Sequence, residues 1–189
     1  MDRLSFDIYI PDGKKFHLTP DWTVFGLWFI AIGFSWAIDG VLPNSGDYRG
    51  YIALIVGLVT AYYLIASFFT YKPLNGRLEG ELIFNNDDLT INGATYPIED
   101  IYNLNFFFED YYGKSTGTGR SFGPRRYQGV NNYISFTDKN NEDHIIYFQL
   151  KTEHSYLSLA PFINRAIKLN RMTVNSGIEL LGIENVSIN

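Results

Sequence analysis

The sequence predicts a membrane-anchored α+β protein: a two-helix transmembrane hairpin plus a small antiparallel β barrel or curved sheet closed by a C-terminal amphipathic helix. Three observations carry that expectation. Two runs, Trp22–Ile38 (WTVFGLWFIAIGFSWAI) and Gly50–Tyr71 (GYIALIVGLVTAYYLIASFFTY), are almost free of charge. The chain beyond them alternates apolar and polar residues between tight-turn signals, the period of half-buried strands. From Thr152 the spacing becomes helical. The expected organisation is a β-hairpin over residues 1–20, a two-span hairpin over 21–72, a β domain with its helix over 73–172, and a tail over 173–189.

The first segment, LSFDIYI (Leu4–Ile10), alternates cleanly, turns at PDGKK and alternates again in FHL (Phe16–Leu18). Asp2, Asp7 and Asp12 exclude a signal peptide there. A bilayer core of about 30 Å needs roughly 20 mostly apolar residues in a helix. The second run meets that outright, about 50–71, and the first only if Asp39–Leu42 are included, about 22–42. Trp22, Trp36, Tyr51 and Tyr71 near the run ends suit the membrane interface. The short connection PNSGDYR (Pro43–Arg49) makes the two helices antiparallel neighbours. Small residues recur at four-residue spacing, Gly33 and Ala37 on the first helix and Ala53, Gly57 and Ala61 on the second. Such faces let backbones approach closely. Lys14 and Lys15 before the runs and Lys72 and Arg77 after them place both termini in the cytoplasm, at the inner membrane.

Beyond the runs, LEGELIF (Leu78–Phe84) ends in NNDD, and DLTI (Asp88–Ile91) meets ATYPI (Ala94–Ile98) through Asn92-Gly93, a two-residue hairpin signal. IYNLNFFF (Ile101–Phe108) follows, then a glycine-rich loop, then NNYISFTD (Asn131–Asp138) and HIIYFQL (His144–Leu150) around KNNED. In the tail, Leu159, Phe162, Ile163, Ala166, Ile167 and Leu169 share one helical face, with Pro161 either kinking the helix or sitting in its first turn.

The order of short strands, with DLTING and YPIEDI early, NNYISF later and a closing helix, resembles the pleckstrin-homology-like domains that follow two-span hairpins in many bacterial membrane proteins. The resemblance covers about residues 74–172 and carries no signature motif. It implies a seven-stranded domain and a role in scaffolding or regulation.

The loop Gly113–Gly129, GKSTGTGRSFGPRRYQG, opens like the end of a nucleotide-binding P-loop. A P-loop needs a glycine where this chain has Phe108, and a helix where it has more glycine, serine and proline. The spacing of Gly117, Gly119 and Gly123 also misses the dinucleotide pattern by one residue. Two readings stay open: a solvated connection, or a contact of Lys114, Arg120, Arg125 and Arg126 with anionic lipid headgroups or an acidic partner.

Other chemistry is sparse. The chain has no cysteine, which excludes thiolate metal sites and cysteine nucleophiles. His17, His144 and His154 lack metal-ligand spacing to one another, so no metal or cofactor is expected. Adjacent carboxylates (Asp87-Asp88, Glu99-Asp100, Glu109-Asp110, Glu142-Asp143) point to opposite faces of a strand. A net charge of −5 argues against nucleic acid as a partner. The expected function is non-enzymatic: a membrane-anchored module that scaffolds, senses or regulates a partner at the cytoplasmic surface. The alternative is an accessory subunit of a transporter or membrane enzyme complex, docked on other membrane proteins through its apolar helices.

Overall fold

The computed structural model describes residues 4–13, 19–39, 45–117 and 121–182. These fall into two compact units. One contains the first strand with residues 73–114 and 127 onward; the other contains the two long helices with the tip of the glycine-rich loop.

The sheet unit is built on β1 (Leu4–Pro11), β2 (Gly76–Phe84), β3 (Asp88–Ile91), β4 (Ala94–Pro97), β5 (Ile101–Phe107), β8 (Asn132–Asp138) and β9 (Asp143–Phe148). Their order is β4-β3-β2-β1-β9-β8-β5. Two short strands between β5 and β8, β6 (Tyr112–Ser115) and β7 (Arg126–Gln128), pair with each other in a separate two-stranded sheet. The first strand is therefore central, flanked antiparallel by β2 and β9. Its alternation reads as a hairpin in the sequence, but its partners lie far along the chain. Phe16–Leu18, the expected local partner, lies outside the described residues.

The β3–β4 hairpin turns at Asn92 (φ 50°) and Gly93 (φ 87°), the two left-handed positions that the Asn-Gly pair favours. The sheet does not close into a barrel. One edge strand, β4, ends in Pro97, which has no N–H to offer a neighbour. The other, β5, is broken by an irregularity between Tyr102 and Asn105, where Asn103 has φ 51°. There the Leu104 N–H donates to the Arg171 carbonyl rather than to a strand. A bulged edge covered by a loop cannot complete a ladder.

One face of the sheet carries the core. Phe84 meets Phe162 edge-on at 5.2 Å, and Phe6 packs on Phe148 at 5.2 Å. The covering helix α3 (Ala160–Lys168) has Pro161 in its first turn, where the missing N–H costs nothing, and buries Phe162, Ile163, Ala166 and Ile167. The segment read as a tail carries a further helix, α4 (Val174–Leu181), capped by the Thr173 hydroxyl accepting from the Ser176 N–H. A Cβ on Gly177 would lie 2.5 Å from Ile167 Cδ1, so α4 meets the Ile167 side chain of α3 closely there.

The helical unit holds α1 (Pro20–Asp39) and α2 (Ser45–Ser67). Among the described residues one helix stretch, Tyr48–Ser67, is long and apolar enough to cross a membrane, and 11% of it is buried in the protein. The expected two-helix transmembrane hairpin is not supported. Helix α1 has Asp21 in its first turn and Asp39 at its end, so its uncharged stretch is short. It also holds all three tryptophans of the chain, which are less apolar than the aliphatic residues of α2.

Candidate functional site: the apolar helices and their basic loop

Helices α1 and α2 pack against each other through a narrow seam. Val24, Ala31 and Val56 are their buried apolar positions. Trp28 donates its indole N–H to Thr60 Oγ1 at 3.1 Å, and that hydroxyl donates to the Val56 carbonyl at 2.7 Å. Most other apolar side chains face outward: Phe29 and Ile30 on α1 are 75% and 70% exposed, and Leu58, Tyr62 and Ile65 on α2 are exposed as well. A helix that is apolar on every side is suited to lipid or to a core larger than this one. Exposed aromatics mark the ends, Tyr48 and Tyr51 at the start of α2 and Phe68 and Phe69 just past it.

The small residues are mostly open, and Ala53 lines a groove between the helices with Trp28 and Ala31. Gly33, Ala37, Ala53 and Ala61 are exposed and Gly57 is half-buried. A Cβ added at Gly33 or Gly57 would meet nothing within 4 Å. Within the described chain these glycines allow no close helix approach; their faces are open.

The loop that sequence reading treated as one basic patch divides. At its tip, Arg125 and Arg126 serve the end of α2. The last carbonyls of a helix have no intrahelical donor and carry partial negative charge. Ser67 O accepts from the Arg125 N–H at 3.0 Å, Phe68 O from Arg126 Nε at 2.9 Å, and Thr70 O from the Arg126 N–H at 3.3 Å. The Lys72 N–H returns to Arg126 O at 2.8 Å. The Arg125 guanidinium lies 4.0 Å from the centre of the Phe68 ring, and the residue is buried. Asp21, at the start of α1, accepts from Ser121 Oγ at 2.9 Å and from the Phe122 N–H at 2.7 Å. No local signal marks Asp21 for this role: its partners are about a hundred residues away in sequence. Lys114 belongs to the sheet unit, where its ammonium donates to the Glu109 carbonyl. Arg120 lies outside the described residues.

The carboxylates are distributed among structural tasks. Asp87 pairs with Arg165 at 2.9 Å, Asp100 with Lys139 at 3.0 Å, and Asp143 accepts from the Thr137 hydroxyl at 2.8 Å. Asp110 is buried beside the fully buried Asn132 and accepts from the main chain and amide of Asn131. Burial pushes its carboxyl above the usual range, against the pull of the Asn131 N–H, and the neighbouring Glu109 charge adds to the rise. Asp138 goes the other way. The Glu142 N–H holds its carboxyl below the usual range, against burial, with the Asn140 N–H and the His144 imidazole adding to the drop. The fold brings Asp138, Glu142 and His144 together. His154 precedes a 3-10 turn, and His17 lies outside the described residues.

No protein-family model, no curated protein and no solved structure matches this chain.

Proposed function

We propose that this chain is a non-enzymatic, membrane-attached module that scaffolds or regulates a partner at the cytoplasmic face of the cell membrane. The observation that carries this reading is α2, apolar around its circumference and largely exposed along Tyr48–Ser67. At 1.5 Å per residue its 23 residues reach about 35 Å, against about 30 Å of hydrocarbon. Each large apolar side chain gains about 1.5–3 kcal/mol on leaving water, which favours an apolar environment such as lipid for this surface. The helical insert leaves from β1 and returns to β2, which pair antiparallel, so both of its ends belong to one sheet. Lys72 and Arg77 at the return, with Lys14 and Lys15 before α1, favour the cytoplasmic side for those ends.

Within residues 74–172 the sheet unit supplies six of its seven strands and the covering helix, the seventh strand being β1, and the sheet stays open. Of the loop cations read as an anionic-headgroup contact, Arg125 and Arg126 are engaged at the end of α2 and the Lys114 ammonium donates to the Glu109 carbonyl, which favours a structural role for these three. The open faces at Gly33 and Gly57 favour a second reading, in which α1 and α2 dock this chain as an accessory subunit on another membrane protein.

Fractionation of cells making the full chain tests the attachment. The protein is expected in the membrane pellet, resistant to salt and alkaline carbonate and released by detergent. Leu54, Ile55, Leu58 and Ile65 changed together to Gln should move it to the soluble or aggregated fraction. Recovery of the unaltered chain in the carbonate supernatant would refute membrane attachment. Mild-detergent purification with identification of stoichiometric co-eluting chains separates the two readings. A partner lost on Gly33→Leu or Gly57→Leu supports helix docking.

A further inference from the structure

The turn between β8 and β9 gathers three side chains with different ligand atoms. One atom each from Asp138, Glu142 and His144 lies within 4.8 Å of the others. Asp138 Oδ2 and His144 Nε2 are 3.4 Å apart. Two donors bound to one ion at about 2.0–2.1 Å and a tetrahedral angle stand about 3.4 Å from each other. The pair thus has the spacing of a coordination edge. His144 Nε2 is buried, makes no close hydrogen bond and has the Asp138 carboxylate as its polar neighbour. A bound ion would satisfy both members of such a pair.

Both inner donors are already oriented. The His144 ring stacks on Phe136 at 4.8 Å and 23°, and Tyr96 meets its edge at 5.4 Å. Asp138 gives Oδ1 to the main chain, accepting from Asn140 N–H at 2.8 Å and Glu142 N–H at 3.0 Å. Its Oδ2 takes only a long bond from the Asn140 amide, 3.3 Å, and faces His144. Hydrogen bonds of this kind on a carboxylate fix ligand direction in metal sites. Asn141, at φ 61°, folds the turn back so that Glu142 joins the pair from the exposed side.

We propose that Asp138, Glu142 and His144 bind a divalent transition-metal ion of the Zn²⁺ type, with water completing the shell. One imidazole nitrogen with two carboxylate oxygens selects such an ion over Mg²⁺ or Ca²⁺, which take oxygen alone. The ion would join the end of β8 to the start of β9 and pin the hairpin. This inference is independent of membrane attachment.

The test uses the full chain, free of affinity tag and purified in detergent, titrated with Zn²⁺ by calorimetry and by thermal melting. Zn²⁺ is expected to bind one per chain and raise the melting temperature, while Mg²⁺ does neither. His144→Gln should abolish the site, and Glu142→Gln, at an exposed position that the fold does not need, should weaken it roughly tenfold or more. His154→Gln should change nothing. Absence of saturable one-to-one binding, or binding unchanged in both His144→Gln and Glu142→Gln, would overturn the proposal.

Discussion

Gly129 lies where three segments of the sheet unit meet, and replacing it tests how that unit is closed. Its carbonyl accepts from the Leu150 N–H at 2.8 Å and from the Asn132 amide at 2.9 Å, while Tyr112 N–H donates to Leu150 O at 2.8 Å. The residue has φ 74°, and an added Cβ would lie 2.5 Å from Tyr112 N and 3.0 Å from Tyr111 C, and in collision with Leu150 O. The left-handed conformation alone costs a non-glycine residue about 1–2 kcal/mol. Overpacking against backbone atoms, which cannot rotate aside, adds about 1–3 kcal/mol. Gly129→Ala should therefore destabilise the sheet unit by about 2–5 kcal/mol. Gly93 supplies the internal comparison: φ is 87°, but its Cβ would meet nothing within 4 Å. Gly93→Ala should show the conformational cost alone, about 1–2 kcal/mol. Hydrogen exchange of β8 and β9 amides in the detergent-solubilised full chain reads both. At 2 kcal/mol, protection falls about 30-fold. Equal losses in the two variants would refute the close approach at Gly129.

The remaining expectations concern buried polar groups and the loop. Asp110 has its folded-state carboxyl raised by burial, so its contribution to stability is fully present below the ordinary carboxylate range and is lost as pH rises through the raised value. Urea midpoints of the chain should decline relative to Asp110→Asn across that window, and parallel pH profiles would refute the shift. Asn132 accepts from Glu109 N–H at 2.9 Å and Asp110 N–H at 3.3 Å, and donates to Gly129 O. Asn132→Ala removes the acceptor of the Glu109 and Asp110 N–H groups, while Gly129 O keeps the Leu150 N–H, and should cost about 1–3 kcal/mol in the same urea measurement, whereas a loss below about 1 kcal/mol would show that the freed groups find other partners. Asp21→Ala should speed exchange at the Phe122 amide by tenfold or more, with β8 amides unchanged; the charge-assisted bond it removes is worth about 1.5–3 kcal/mol.

Local physics was legible in the sequence. Alternation placed β1 and β8, because a strand with one face on a core must repeat every two residues. Asn92-Gly93 placed a hairpin, because the turn needs positive φ at both positions. Pro161 marked the first turn of α3, and the apolar runs marked α1 and α2. What depends on distant pairing was not legible. The alternation of β1 shows that it is a strand, but not that its neighbours are β2 and β9. The open edge at β5 depends on Asn103 and on the Arg171 carbonyl, far along the chain. Arg125 and Arg126 read as part of a solvent-facing basic patch, since net charge along a loop carries no record of the helix end it meets. Asp138, Glu142 and His144 gave no spacing motif, because a turn rather than a repeat brings them together. Sequence alone determined the longer strands, the Asn92-Gly93 turn and the apolar helices, which follow from neighbours a few residues away, but not β6, β7 or α4. Tertiary structure decided which partners satisfy the remaining polar groups, because those contacts join residues that the chain separates by a hundred positions or more.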